Sequence, residues 1–581
     1  MSLATCPRRA AAGAMAALAI AASILAPSGN AAYIGSSRID DSSEAQQIAI
    51  LTFESIPTAT RAISDMLSSV GDSGTDVSAA SVLTWLTMLP SLDCADPSRQ
   101  ASVIFITPQE DFSMANQVAI VPLSPLNGEQ LLRKSLVETY GKISGNTVVY
   151  CSEPRDIGTL PGLALIITRN VAYVGNGPES LRWIAKNISM GITPTAGKVR
   201  DDSAISAFFD AQLTCNALGK LIGDTSAPAD DAEIPQAIRL ISAFRDQLST
   251  LSSLQLSISA NLNVTRLAAK LEPKDGEAGE FLALPEPSWK PVTLLPRDAV
   301  GVSIGYPRQF GALLPKSIAD TFHGDGSYAY FTGFNILNGG LSGAGSELAP
   351  FLTGESASAF LFTKANSITA RVTVHALRDA AGAAAAIERI MAAPPNNSGV
   401  TISPAREAEG RTIWGYTSHR RASPDSSSDF AASVIILLSQ LHTVEMAIAG
   451  DNLIVVSGAH GTIDKVLRAM GETARIKGID ALTMPFGPLP AGETLLGCGD
   501  FEPSQCFLLF TKSSDSLAGL ARHLPSHGGG IAWRISRSDS HAIVELSASA
   551  SEIFALSMLN KLDQRVIGHA ILDIVLGRSK L

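Results

Sequence analysis

Apolar and polar positions alternate along several short stretches of this 581-residue chain, and the alternating stretches recur in order. The clearest is Ile368–His375. Ile368, Ala370, Val372 and Val374 fall on one side, and Thr369, Arg371, Thr373 and His375 on the other. A period of two predicts a strand with one covered face. Two later stretches read as hairpins. Leu254–Ala260 turns at Asn261–Asn263 into Thr265–Leu271, and Ile531–Ser536 turns at Ser538-Asp539 into Ala542–Ala548. Both alternate as antiparallel strands with one covered face do.

The order repeats when Gln100–Ile188 is laid against Glu355–Met470. A short apolar strand opens each segment, Ala101–Ile106 or Ala357–Phe362. A helix follows, with Asn127 or Asp379 at its N-cap. In the first copy Leu132, Leu136 and Tyr140 share a helical face. Strands around Thr147–Tyr150 and Thr412–Gly415 come next. Val171–Val174 and Leu453–Val456 then lead into helices over Pro178–Ile188 and Thr462–Met470. Beyond these, Phe209-Asp210 precedes Cys215 and Gly499-Asp500 precedes Cys506, and each half closes on its hairpin.

This order is not the βαβαβ of a doubly wound sheet. It predicts an α+β fold, two tandem copies of a mainly antiparallel sheet with helices packed on one face. Pro285, Pro287, Pro291 and Pro296 mark the boundary between copies. The expected divisions are 1–31, 32–290 and 291–581. Leu294–Val300 opens the second copy, and Leu348–Gly354 precedes a strand. In these motifs and in the repeated order the chain resembles exported bacterial proteins of unknown function that carry a duplicated α+β module. That resemblance implies no activity.

The first 31 residues change the picture. Arg8 and Arg9 precede an uncharged run, Ala10–Ala26, and Gly29 and Ala31 are small residues two apart. This is the layout of a secretory signal peptide cleaved after Ala31, and the run is short for a membrane span. Phe430–Val444, the next most apolar stretch, is broken by Ser433, Ser439, Gln440 and His442 and reads as a buried helix. Removing the signal leaves 42 basic against 54 acidic residues, a net charge of −12. With no Lys/Arg block, the chain lacks the basic surface that nucleic acid or an anionic membrane would need. The expected location is periplasmic, cell-surface or extracellular.

Candidate chemistry is sparse. In an oxidising compartment the pair closest in sequence, Cys498 and Cys506, is a candidate disulfide, with Gly499 and Pro503 allowing a turn between them. Gly175-Asn176-Gly177 resembles half a dinucleotide fingerprint, but Ser180 replaces the third glycine and Pro178 suits a helix start. Ser342 approaches a nucleophile elbow without its final glycine. His523 and His527 have ligand-like spacing on a loop around Pro525, whereas His375 and His541 are expected on solvated strand faces and His460 in a turn. Asp210 and Asp500 are expected to cap the helices that follow them. Asn187, Asn263 and Asn396 sit in glycosylation sequons. No Walker motif, HExxH, CxxC or EF-hand loop is present, and no cofactor is expected.

These readings favour a non-catalytic binding or structural protein of the cell envelope or exterior, whose partner is an unknown protein or cell-envelope ligand. The alternative is a secreted hydrolase with its site in the second domain, because all nine histidines follow position 322.

Overall fold

The computed structural model describes residues 46–70, 78–106, 116–140, 150–151, 163–176, 180, 183–184, 195–224, 245, 248–261, 263–274, 282–295, 299–306, 347–363, 368–392, 400–418, 443–458, 460–471, 479–501 and 530–552. By contacts the chain divides into a first unit, Arg9–Lys274, and a second, within Asp275–Leu581.

The central strands of the first unit are buried on both sides. In β1 (Gln47–Phe53) every residue from Ile48 to Phe53 is buried, and so is all of β2 (Ala101–Ile106). β1 pairs with β2 on one side and with β7 (Ile205–Asp210) on the other. Outward from β2 come β3 (Asn116–Pro122), β6 (Val171–Asn176), β5 (Leu163–Thr168) and β4 (Tyr150–Cys151). Outward from β7 come β8 (Leu251–Ala260) and β9 (Val264–Pro273). The helices are α1 (Ile56–Val70), α2 (Ala79–Thr87), α3 (Gly128–Tyr140) and α4 (Ala211–Asp224). One core gathers Ile50, Ile104, Ile106, Val118 and Ile120 under Trp183, Ile184 and Ala196.

The second unit is built around β10 (Ala299–Gly305), which pairs with β11 (Leu352–Thr363) and β17 (Thr494–Phe501). Outward from β11 come β12 (Ile368–Leu377), β16 (Asn452–Gly458), β15 (Thr443–Ala449), β14 (Arg411–Ser418) and β13 (Val400–Ala408). Outward from β17 come β18 (Ile531–Arg537) and β19 (Ala542–Ser549). Its helices are α5 (Ala380–Ala392), α6 (Thr462–Gly471) and α7 (Ile479–Thr483). Among the described strands the pairing order is that of the first unit, with one further strand, β13, at the edge. The strands carry one core on each side. Val302, Ile304, Ala357, Val372, Val374 and Val456 pack with Ile463 and Val466 of α6. Leu377, Trp414, Tyr416, Met446 and Val455 pack with Ala383, Ile387 and Ile390 of α5.

The expected class is corrected. Nineteen strands against seven α-helices make the described chain mainly β, and the strand pairs named above are antiparallel. It is not two tandem α+β modules with helices on one sheet face. The physical reason lies in the central strands. A sheet covered on one face leaves every second residue in water, whereas β1 and β2 bury consecutive residues. Even the alternating stretch on β12 is covered twice. Val372 and Val374 fill one core, and Thr373 and His375 on the other side are also buried. Small hydroxyl side chains permit this by bonding one another, as Ser358 and Thr373 do at 3.1 Å. Val444, expected at the end of a buried helix, lies in β15, and residues 430–442 fall outside the described set.

Local rules hold where they need only neighbours. Arg169 and Asn170, both at positive φ, turn β5 into β6, and Glu409 and Gly410 turn β13 into β14. Such conformations match the twist of a two-residue hairpin. Asp379 accepts the Gly382 N–H at 2.9 Å and caps α5. Gly175 has a packing reason, since a Cβ there would lie 2.5 Å from that of Ser180. Leu348 and Leu352, within the motif that leads into β11, are buried beside α5.

Candidate functional site

Among the described residues, a group of charged side chains with a histidine joins three parts of the second unit. Glu445 stands in the middle of β15, between Val444 and Met446, and only 2% of its side chain is exposed. A buried carboxylate needs partners for both oxygens. Oε1 takes the Arg406 Nη2–H from β13 at 2.9 Å and lies 3.2 Å from Nδ1 of His460. Oε2 takes the backbone N–H groups of Gly461 at 2.9 Å and Ile463 at 3.3 Å. These are orphan donors at the start of α6, where a negative charge also meets the positive end of the helix dipole.

Arg406 is shared. Its Nη1 donates to both oxygens of Asp464, in the first turn of α6, at 2.8 and 3.0 Å. Partial burial works against its charge, but the hydrogen bonds it donates to Glu445 and Asp464 outweigh that, and its pKa is raised. A bulge between Ser403 and Arg406, around Pro404, interrupts the ladder of β13 just before this side chain. His460 lies in the turn before α6, as expected, with 65% of its side chain exposed. The arrangement ties the β13–β15 edge of the sheet to the start of a helix. Every oxygen of its buried acid is engaged inside the fold.

Two more buried acids are also held by partners within the second unit. Glu355 on β11 accepts Ser288 N–H at 3.0 Å, Ser288 Oγ–H at 2.8 Å and Trp289 N–H at 2.7 Å. It thereby holds Trp289 at a φ of 58° against the core. Glu545 on β19 accepts from Nε of the buried Arg534 on β18 at 2.6 Å. Arg534 also donates to the Gly487 carbonyl at 2.8 Å, and its guanidinium lies 5.1 Å from the Phe486 ring centre. Cys498, paired with Arg534 across β17 and β18, is fully buried. Burial first, and the charge of Asp500 second, push its thiol pKa up to about 12.

The residues singled out in the sequence scatter. Cys506, Ser342, His523, His527, Asn187, Asn396, Gly177 and residues 1–31 lie outside the described residues. The structure therefore gives no geometry for the Cys498–Cys506 bridge. Asp210 caps α4, accepting the Leu213 N–H at 2.9 Å. Asp500 lies in β17, and the residues after Phe501 are outside the described set. Asn263 is exposed in the β8–β9 turn. The solvated reading of His375 is corrected: it is 4% exposed, on the doubly covered face of β12. His541 is part-buried in the β18–β19 turn, its Nδ1 2.7 Å from Ser538 Oγ. Among the described residues no group of three or more His, Cys, Asp or Glu side chains could hold a metal. No described helix is long and apolar enough to cross a membrane.

Sequence reasoning passed over Glu445, Arg406, Glu355, Arg534 and Glu545. A usable signal was present. Glu445, Arg534 and Glu545 each interrupt an apolar run, as in Val444-Glu445-Met446 and Trp533-Arg534-Ile535, and a charge at a core position must have a partner.

No protein-family model matches this chain, and no curated protein or solved structure is significantly similar to it.

Proposed function

We propose that the chain is exported and acts outside the cytoplasm as a non-catalytic binding or structural protein of the cell envelope or exterior. The observation that supports this is the engagement of Glu445. A general acid or base must present an oxygen or a proton to its substrate. Glu445, beside the one histidine in the cluster, has both oxygens taken by Arg406, His460 and the first turn of α6. The geometry serves stability, as it does for Glu355, whose two oxygens are likewise taken, and for Glu545, which is held by the buried Arg534. The partner is a protein or cell-envelope ligand. A mature charge of −12 disfavours nucleic acid, whose binding draws on Lys and Arg to neutralise phosphates. Export is tested by fractionating the native host and measuring the N-terminal mass of the protein. A chain beginning after Ala31 and found outside the cytoplasm fits the proposal. A chain retaining Met1 in the cytoplasm overturns it.

A further inference from the structure

We draw no further inference here: the strongest candidate, the polar sheet face of the second unit where Ser356, Ser358, Thr373 and His375 lie on β11 and β12, is buried, and nothing in the structure shows what covers it.

Discussion

Replacing Glu445 by Ala tests the structural reading of its cluster. The variant loses the acceptor for two backbone donors at the start of α6, and a lost N-cap costs about 1 kcal/mol. It also loses the charge-assisted bond to Arg406, of a kind that contributes roughly 1.5–3 kcal/mol. Arg406 is not orphaned, because Asp464 still accepts two of its hydrogen bonds. The total should therefore fall near 3 kcal/mol, at the bottom of the roughly 3–5 kcal/mol expected when a buried charge is left alone. Glu445→Gln keeps an oxygen for the helix and should cost about half as much. Urea unfolding followed by tryptophan fluorescence reports the second unit through Trp289, Trp414 and Trp533, once Trp85 and Trp183 of the first unit are replaced by Phe in the wild-type and variant chains alike. The midpoint should fall without a change in slope. A double-mutant cycle with Arg406→Ala should return a coupling of roughly 1–2 kcal/mol. Glu445→Ala with wild-type stability, or a cycle with no coupling, would show that these contacts do not stabilise the second unit.

Three other outcomes follow from the structure and the sequence. Cys498 should resist thiol reagents in the folded protein at pH 8, because a thiol with a pKa of about 12 is ionised there only about once in 10,000 molecules and is buried as well. Rapid labelling of Cys498 in the native state would count against that burial. If Cys498 and Cys506 are bridged in the exported protein, intact mass will rise by two hydrogens on reduction, and a peptide joining the two will disappear; two alkylated cysteines without prior reduction would exclude the bridge. Glu545→Ala strands the guanidinium of Arg534, leaving it the Gly487 carbonyl and Phe486, and should destabilise by about 3–5 kcal/mol. Arg534→Met with Glu545→Leu should recover most of that loss, and equal stability of the single and double variants would contradict the burial argument.

What could be read in advance depended on the range of the interactions involved. The β8–β9 and β18–β19 hairpins were legible because their partners lie a few residues apart and their turns carry Asn261 and Ser538-Asp539. The caps at Asp210 and Asp379 are local too. β1 and β10 were not legible, although each is the strand around which its unit is arranged. Their partners β7 and β17 come far later in the chain, and no local rule announces such pairing. The class was misread for a related reason. Polar residues on β12 look solvated when counted by period, yet Thr373 is buried against Ser358. The Glu445 cluster draws on β13, β15 and α6, which become neighbours only when the sheet forms.

The most direct measurement is a turnover assay on the purified mature chain with generic ester, peptide, phosphate and glycoside substrates, with and without added zinc. Chemistry requires groups held in defined geometry and open to substrate, and the buried acids of the second unit face inward to the fold. No turnover above buffer is expected under any condition. Turnover that disappears in Ser342→Ala, His523→Ala or His527→Ala, in variants that remain folded, would contradict the non-catalytic role and establish the secreted hydrolase instead.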